Sequence, residues 1–203
     1  MRTLVLGGAR SGKSIHAEAL VMPATTVDYV ATSAVDPEDA EWVERIALHQ
    51  ARRPAHWRTI ETADVAEVLG RDDEAVVLVD CLGVWLTRAM DECGIWDENP
   101  STSSGNESGE TPGNGTASAE PVEATTPRDQ LQARIDALAE AVAATRREVV
   151  FVSNEVGLGV VPAHWSGRFF RDQLGIVNMR VAAACDRVVF CVAGIPTTIK
   201  DAS

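Results

Sequence analysis

An α/β fold, with a mostly parallel β-sheet and helices on both faces, is what this sequence predicts, on three observations. Short apolar-rich runs at residues 3–6, 27–31, 75–79, 148–152 and 187–192 have the near-continuous hydrophobicity of strands covered on both sides. Stretches of helical periodicity separate them. Repeated strand–helix alternation implies parallel strands joined by helical crossovers. At 203 residues and 45% hydrophobic content, the chain can bury the core of one such domain, expected to span residues 1–203.

The first strand, Thr3-Leu4-Val5-Leu6, runs into Gly7-Gly8-Ala9-Arg10-Ser11-Gly12-Lys13-Ser14, and a helix is expected over residues 15–22. The octet satisfies G-x-x-x-x-G-K-[ST], and its strand–loop–helix setting is the context a phosphate-binding P-loop requires. Glycines let the backbone turn tightly and aim N–H groups at phosphate oxygens. Lys13 can neutralise β/γ-phosphate charge, and the Ser14 hydroxyl can hold Mg²⁺. The positive end of the new helix faces the same phosphates.

A second strand covers residues 27–31 and ends in Ala31-Thr32-Ser33. Residues 36–50 read as a helix, with Pro37 in its first turn beside Glu38 and Asp39. Val43, Ile46, Ala47 and Gln50 share one face, and Trp42, Ile46 and His49 the adjoining one. Arg52-Arg53-Pro54 breaks that helix, and a short extended piece is expected over 57–61. A helix over 64–69, a turn at 71–73 and a buried strand over 75–79 ending in Asp80 come next, and a helix starts at Gly83 and runs to about Glu92.

Composition then shifts. Residues 97–127 are Ser, Thr, Gly, Asn, Pro, Ala, Asp and Glu with one valine and no lysine or arginine, and their six acids make up half of the net charge of −12. Such a stretch cannot bury enough apolar surface to order itself. It reads as a disordered acidic insertion in a surface loop, with a solubilising role favoured over a partner-binding one. A helix over 128–146, a strand over 148–152 ending in Ser153-Asn154-Glu155, a helix over 167–184 with Gly175 as its point of bending, and a strand over 187–192 complete the alternation.

The acidic balance argues against a general nucleic-acid or anionic-membrane binder, which would present a basic face. No apolar run approaches the roughly 18 residues a membrane span needs. The first residues read as a strand and not as a signal peptide, so a cytoplasmic location is expected. Cys81, Cys93, Cys185 and Cys191 form no C-x-x-C pair and read as small buried hydrophobes.

Ligands of open α/β sheets bind beyond the carboxyl ends of the strands. The strand ends at Gly7 to Ser14, Thr32-Ser33, Asp80 and Ser153-Asn154-Glu155 should therefore share one crevice. Asp80 closes a buried strand downstream of a P-loop, the place of a Mg²⁺-holding acid; the alternative is a carboxylate capping the next turn. Glu155 is a general base, an outer partner of Mg²⁺ or a helix cap, and the residues leave these open. His49, just before Arg52-Arg53, is a nucleophile with cations at hand or, more commonly at such a place, a surface histidine at a helix end. His16 reads as structural or solvated.

Further blocks sit in a fixed order: Ala31-Thr32-Ser33, His49 with Arg53-Pro54-Ala55-His56-Trp57-Arg58-Thr59, Ser153-Asn154-Glu155-Val156-Gly157, then Arg168-Phe169, Arg171-Asp172, Gly175, Val177-Asn178, Arg180 and Gly194-Ile195. With these and the P-loop, the chain closely resembles the bifunctional adenosylcobinamide kinase/adenosylcobinamide-phosphate guanylyltransferases of cobalamin biosynthesis, over essentially all but residues 95–127. The resemblance implies a P-loop fold similar to RecA-type α/β proteins. It implies phosphorylation of adenosylcobinamide by a nucleoside triphosphate, with ATP and GTP as substrates and Mg²⁺ as cofactor. GMP is then transferred from GTP through a covalent histidine, matched here by His49. Nucleotide contacts map onto Gly7, Gly8, Ala9, Arg10, Ser11, Gly12, Lys13, Ser14, Ala31, Thr32, Ser33, Gln50, Ala51, Arg52, Arg53, Glu61 and Asp80. Of these, Gln50, Ala51 and Arg52 depart from the family pattern. A homotrimer is also implied.

Overall fold

The computed structural model describes residues 1–33, 47, 53–98 and 125–202. Its seven strands form one sheet. In chain order the elements are β1 (Arg2–Gly7), α1 (Lys13–Val21), β2 (Val27–Ala31), β3 (Arg58–Glu61), α2 (Val65–Leu69), β4 (Val76–Asp80), α3 (Leu82–Glu92), a 3₁₀ turn (Ile95–Glu98), α4 (Pro127–Ala144), β5 (Val149–Asn154), α5 (Trp165–Ala184), β6 (Arg187–Val192) and β7 (Ile195–Asp201). The spatial order is β3-β2-β4-β5-β1-β6-β7. All neighbours are parallel except β6 and β7, which are antiparallel.

Period-two alternation along the strands divides the core between the two faces. Val5, Val27, Tyr29, Leu78, Val150, Val152 and Val189 point to the face covered by Ala17 and Val21 of α1 and by Trp57. Leu4, Leu6, Val30, Val77, Val79, Val149, Phe151 and Val188 point to the other, packed under α2, α3, α4 and α5. This is the two-sided burial that the apolar runs predict. Cys93, Cys185 and Cys191 are buried, Cys81 is half-buried, and all four are free thiols.

The amino ends of the strands are tied by a buried guanidinium. Arg147 lies 2.6 Å from Asp28, with side chains only 3% and 1% exposed. It also donates to the Val68 and Ala75 carbonyls. Arg58 bridges Asp28 and Asp73 at 2.7 Å each, and Arg2 pairs with Asp186. A buried charge is tolerable when its partners and remaining hydrogen-bond sites are all met, as here.

The structure differs from the sequence reading in three places. The final antiparallel strand β7 was not read from the sequence: most of its residues are exposed and its second is Pro196, so it shows no buried run. Two residues of left-handed backbone, Ala193 (φ 52°) and Gly194 (φ 80°), make the tight turn into it. The expected acidic insertion loses its ends. Asp97 falls in the 3₁₀ turn. Thr126 and Asp129 form a reciprocal capping box, with Pro127 at the first position of α4; residues 99–124 lie outside the described residues. Helix α5 starts at Trp165, two residues before expectation, and runs unbroken through Gly175. Of the helix expected over 36–50 only Ala47 is described; it is helical and exposed, and the rest of that expectation lies outside the described residues.

Candidate active site

The P-loop joins β1 to α1 at the carboxyl end of the sheet's middle. Gly7 is required there: a Cβ on it would lie 2.3 Å from the Ser11 Oγ and 2.7 Å from the Cys191 carbonyl oxygen. Gly12 takes φ 89°, and its Cβ position is only 3.1 Å from the Gly194 Cα. The β6–β7 turn thus buttresses the loop, and the Gly194 amide donates to the Ser11 carbonyl at 2.9 Å. The Arg10 backbone is also left-handed at φ 55°. No side chain caps α1, and its first turn carries no acid, so its leading N–H groups keep their pull on an anion. Lys13 Nζ donates to the Gly8 carbonyl at 3.2 Å, folded over the loop it would serve. Gly8 and Ser14 are half-buried, Ala9 and Arg10 exposed. The Ser11 Oγ is buried with no hydrogen-bond partner among the described residues.

Strand register brings the other candidates alongside. Ala31 sits between Glu61 and Asp80, Asp80 beside Val152, and Asn154 beside Gly7. Thr32 is buried and its hydroxyl donates to the Cys81 carbonyl at 2.9 Å, holding the β2 end against the start of α3; Ser33 is half-buried. Asp80 accepts a 3.0 Å hydrogen bond from the Tyr29 hydroxyl. Burial, and then the charge of Asp80, push the Cys81 thiol up to about 11, while Lys13 pulls the other way; the thiol is therefore inert at neutral pH.

Along the outer strand, Arg53, Pro54, Ala55, Trp57, Thr59 and Glu61 line an open hollow of about 540 Å³. The Arg53 guanidinium lies 3.4 Å over the Tyr29 ring. Its Nε and the Trp57 indole N–H are buried without partners among the described residues. His49, Gln50, Ala51 and Arg52 fall outside the described residues.

At the β5 end the Glu155 amide donates to the Gly7 carbonyl at 3.1 Å. Its carboxylate accepts from the Gly157 amide at 2.6 Å, closing a turn. The helix-cap alternative is therefore incorrect, since the next described helix begins at Trp165. Beneath it Ser153, one of the crevice candidates, meets Asn178, which the sequence reading placed only among the family blocks. The Ser153 hydroxyl donates to Asn178 Oδ1 at 2.6 Å, and Asn178 Nδ2 donates to the Asn154 carbonyl at 3.0 Å. A buried Asn on the apolar stripe of α5 was the available signal. Tyr29 was also passed over; its signal was a polar-tipped aromatic in a strand that ends in Ala-Thr-Ser. His16 is half-buried, with Nε2 unpartnered among the described residues, and burial lowers its pKa.

The donor set suits Mg²⁺. Ser14 and Asp80 supply hard oxygens, and this ion retains waters and takes phosphate oxygens from its nucleotide instead of needing an all-protein cage. Among the described residues no cluster of three or more His, Cys, Asp or Glu occurs.

A profile of the cobinamide kinase / cobinamide phosphate guanyltransferase family matches residues 3–199. The chain belongs to this family. The bifunctional adenosylcobalamin biosynthesis protein CobP of Pseudomonas aeruginosa is 37% identical over 204 residues, covering 98% of each chain. The proteins of the same description called CobU in Escherichia coli K12 and Salmonella typhimurium are 36% and 38% identical, over 98% of this chain and all of theirs. Among solved structures, the type III secretion ATPase EscN of enteropathogenic E. coli matches 95% of this chain and 43% of its own, with TM-score 0.49 and 11% identity. As a member of its family the chain is an enzyme with cobinamide kinase and guanylyltransferase activity, on a P-loop α/β fold. Among the described residues no helix is long and apolar enough to cross a membrane.

Proposed function

We propose that this enzyme phosphorylates the aminopropanol hydroxyl of adenosylcobinamide with ATP or GTP, and then transfers GMP from GTP to that phosphate through a covalent bond to His49. The observation that supports the reading is that the P-loop, Asp80 and the Arg53–Glu61 hollow lie at the carboxyl ends of β1, β4 and β3. His49 precedes Arg53 by four residues, so the backbone between them spans at most roughly 14 Å. Arg53 in turn reaches the ring of Tyr29, which is bonded to Asp80.

The chemistry follows from the residues. Backbone amides of Gly8 to Lys13, the α1 end and Lys13 hold the triphosphate. In the kinase step the substrate hydroxyl attacks the γ-phosphorus, the β–γ bridge breaks and the nucleoside diphosphate leaves, while the hydroxyl proton passes to a base; Glu155 beside Gly7 is the carboxylate proposed for this role. In the transfer step the neutral His49 imidazole attacks the α-phosphorus of GTP. An N–P bond forms, the α–β bridge breaks and pyrophosphate leaves. An oxygen of adenosylcobinamide phosphate then attacks the same phosphorus, the N–P bond breaks and adenosylcobinamide-GDP is released. Arg53 and Lys13 offset the charge that grows on the departing phosphates. Mg²⁺, held by Ser14 and Asp80, supplies Lewis-acid charge neutralisation when bound. Ala31, Thr32, Ser33, Gln50, Ala51, Arg52 and Glu61 are proposed to line the nucleotide. A homotrimer and a cytoplasmic location belong to the same reading.

The test uses GTP labelled at the α-phosphate. The protein should take up acid-labile, base-stable label on the peptide containing His49. His49→Ala should abolish labelling while sparing γ-phosphate transfer to adenosylcobinamide. Label that persists on His49→Ala, mapped to His56, would overturn the assignment.

A further inference from the structure

Tyr29 lies at the centre of β2, paired with Leu78 on one side and Thr59 on the other. It is 2% exposed and carries three contacts at once. Its hydroxyl donates to Asp80 Oδ2 at 3.0 Å. One face of its ring receives the Arg53 guanidinium at 3.4 Å. Trp57 stacks on it with centroids 6.5 Å apart and planes 21° from parallel. Asp80 is two residues beyond Leu78 on β4, so the phenol reaches along the strand toward the carboxyl end.

We infer that Tyr29 is a positioning residue that holds the Asp80 carboxylate and the Arg53 guanidinium in fixed relation, so that the metal-holding side of the site and the cation following His49 share one buried anchor. This rests on the reading of Asp80 as a holder of Mg²⁺. A carboxylate turns freely about its last bond, whereas Mg²⁺ demands near-octahedral geometry; a hydrogen bond from a side chain locked in the core fixes that turn. Arg53 is held by its face on the ring, which leaves its planar edge to meet an anion. The Nη1–Thr59 contact is long at 3.4 Å, and Nε has no partner among the described residues.

The test is equilibrium binding of a fluorescent GDP analogue titrated with Mg²⁺, read without turnover. Tyr29→Phe keeps the ring and drops the hydroxyl. It should raise the Mg²⁺ midpoint about tenfold, the usual cost of losing a ligand's outer partner, and leave binding in EDTA unchanged. In an Asp80→Asn background the same change should have no effect, because its route is gone. Tyr29→Leu loses the ring as well and should lower affinity in EDTA about tenfold, an increment absent when Arg53→Gln is already present. A Tyr29→Phe midpoint equal to wild type would overturn the inference, as would a full shift persisting in Asp80→Asn. Asp80→Asn with an unchanged midpoint would remove the metal reading itself, and the inference with it. If Tyr29→Leu fails to fold, the two Phe arms decide the question.

Discussion

At the amino ends of the strands the Arg147 guanidinium meets Asp28 and two carbonyls, and Arg58 and Arg2 complete their own pairs. Around the P-loop and the α1 face the opposite holds. The Ser11 hydroxyl, Arg53 Nε and the Trp57 indole N–H are buried without partners among the described residues. The amino side has one exception, Arg187 Nε, whose neighbouring Nη2 does find Thr198. Each unmet buried polar atom costs about 1–3 kcal/mol, so a chain keeps a group of them where a ligand will supply the missing partners. One region is finished on folding; the other keeps unmet groups that the proposed nucleotide would complete.

The comparison can be broken from either side. The largest effect is expected from Gly7→Ala: its methyl would overlap Ser11 Oγ and the rigid Cys191 carbonyl, so the P-loop must move. Nucleotide affinity should fall by roughly a hundredfold or more in direct binding, because displacements near 1 Å are that costly. Wild-type affinity would mean that the loop is not the nucleotide cradle.

Arg147→Ala should do the reverse, costing about 3 kcal/mol by leaving Asp28 buried with only Arg58 for a partner. The melting temperature should drop by roughly 6–12 °C, with kcat and KM unchanged at temperatures where the variant is folded. Lost activity in folded protein would erase the division between the two ends.

Asn178→Ala tests a residue that touches both regimes. It strips partners from the Ser153 hydroxyl and the Asn154 carbonyl just below Glu155. A loss of about 1–3 kcal/mol is expected by denaturant titration, together with slower phosphoryl transfer as the β5 end loosens.

The smallest effect concerns Arg2, which holds the Asp186 carboxyl down to about 2 through its side-chain hydrogen bond. A carboxylate lowered on folding stabilises the protein above its unfolded pKa, near 4, and loses that contribution as pH falls through about 2. Arg2→Gln should therefore be less stable than wild type by under about 1 kcal/mol at neutral pH, the pair being partly exposed. The gap should close between about pH 4 and pH 2 in melting curves.

Much of this was legible beforehand, for identifiable reasons. The octet from Gly7 to Ser14 is a local device whose spacing alone defines it. The strands β2 and β6 match their apolar runs end to end, because strands buried on both faces need hydrophobic residues at nearly every position. Strand β7 was invisible because an exposed edge strand needs no such pattern. Thr126 was absorbed into a low-complexity stretch, although Thr-Pro-x-Asp is a capping sequence. Asn178 and Tyr29 were read as members of a helix and a strand, since nothing near them in sequence discloses what they touch.

Chain order and residue type were enough for the layered architecture, the phosphate loop and the family blocks, because each depends on neighbours a few positions apart. The pairing of Asp28 with Arg147, 119 residues later, the Gly194 turn behind Gly12 and the hydroxyl of Tyr29 on Asp80 arise only when distant segments meet in the packed sheet. There the cost of burying a polar group selects its partner by distance in space and not along the chain.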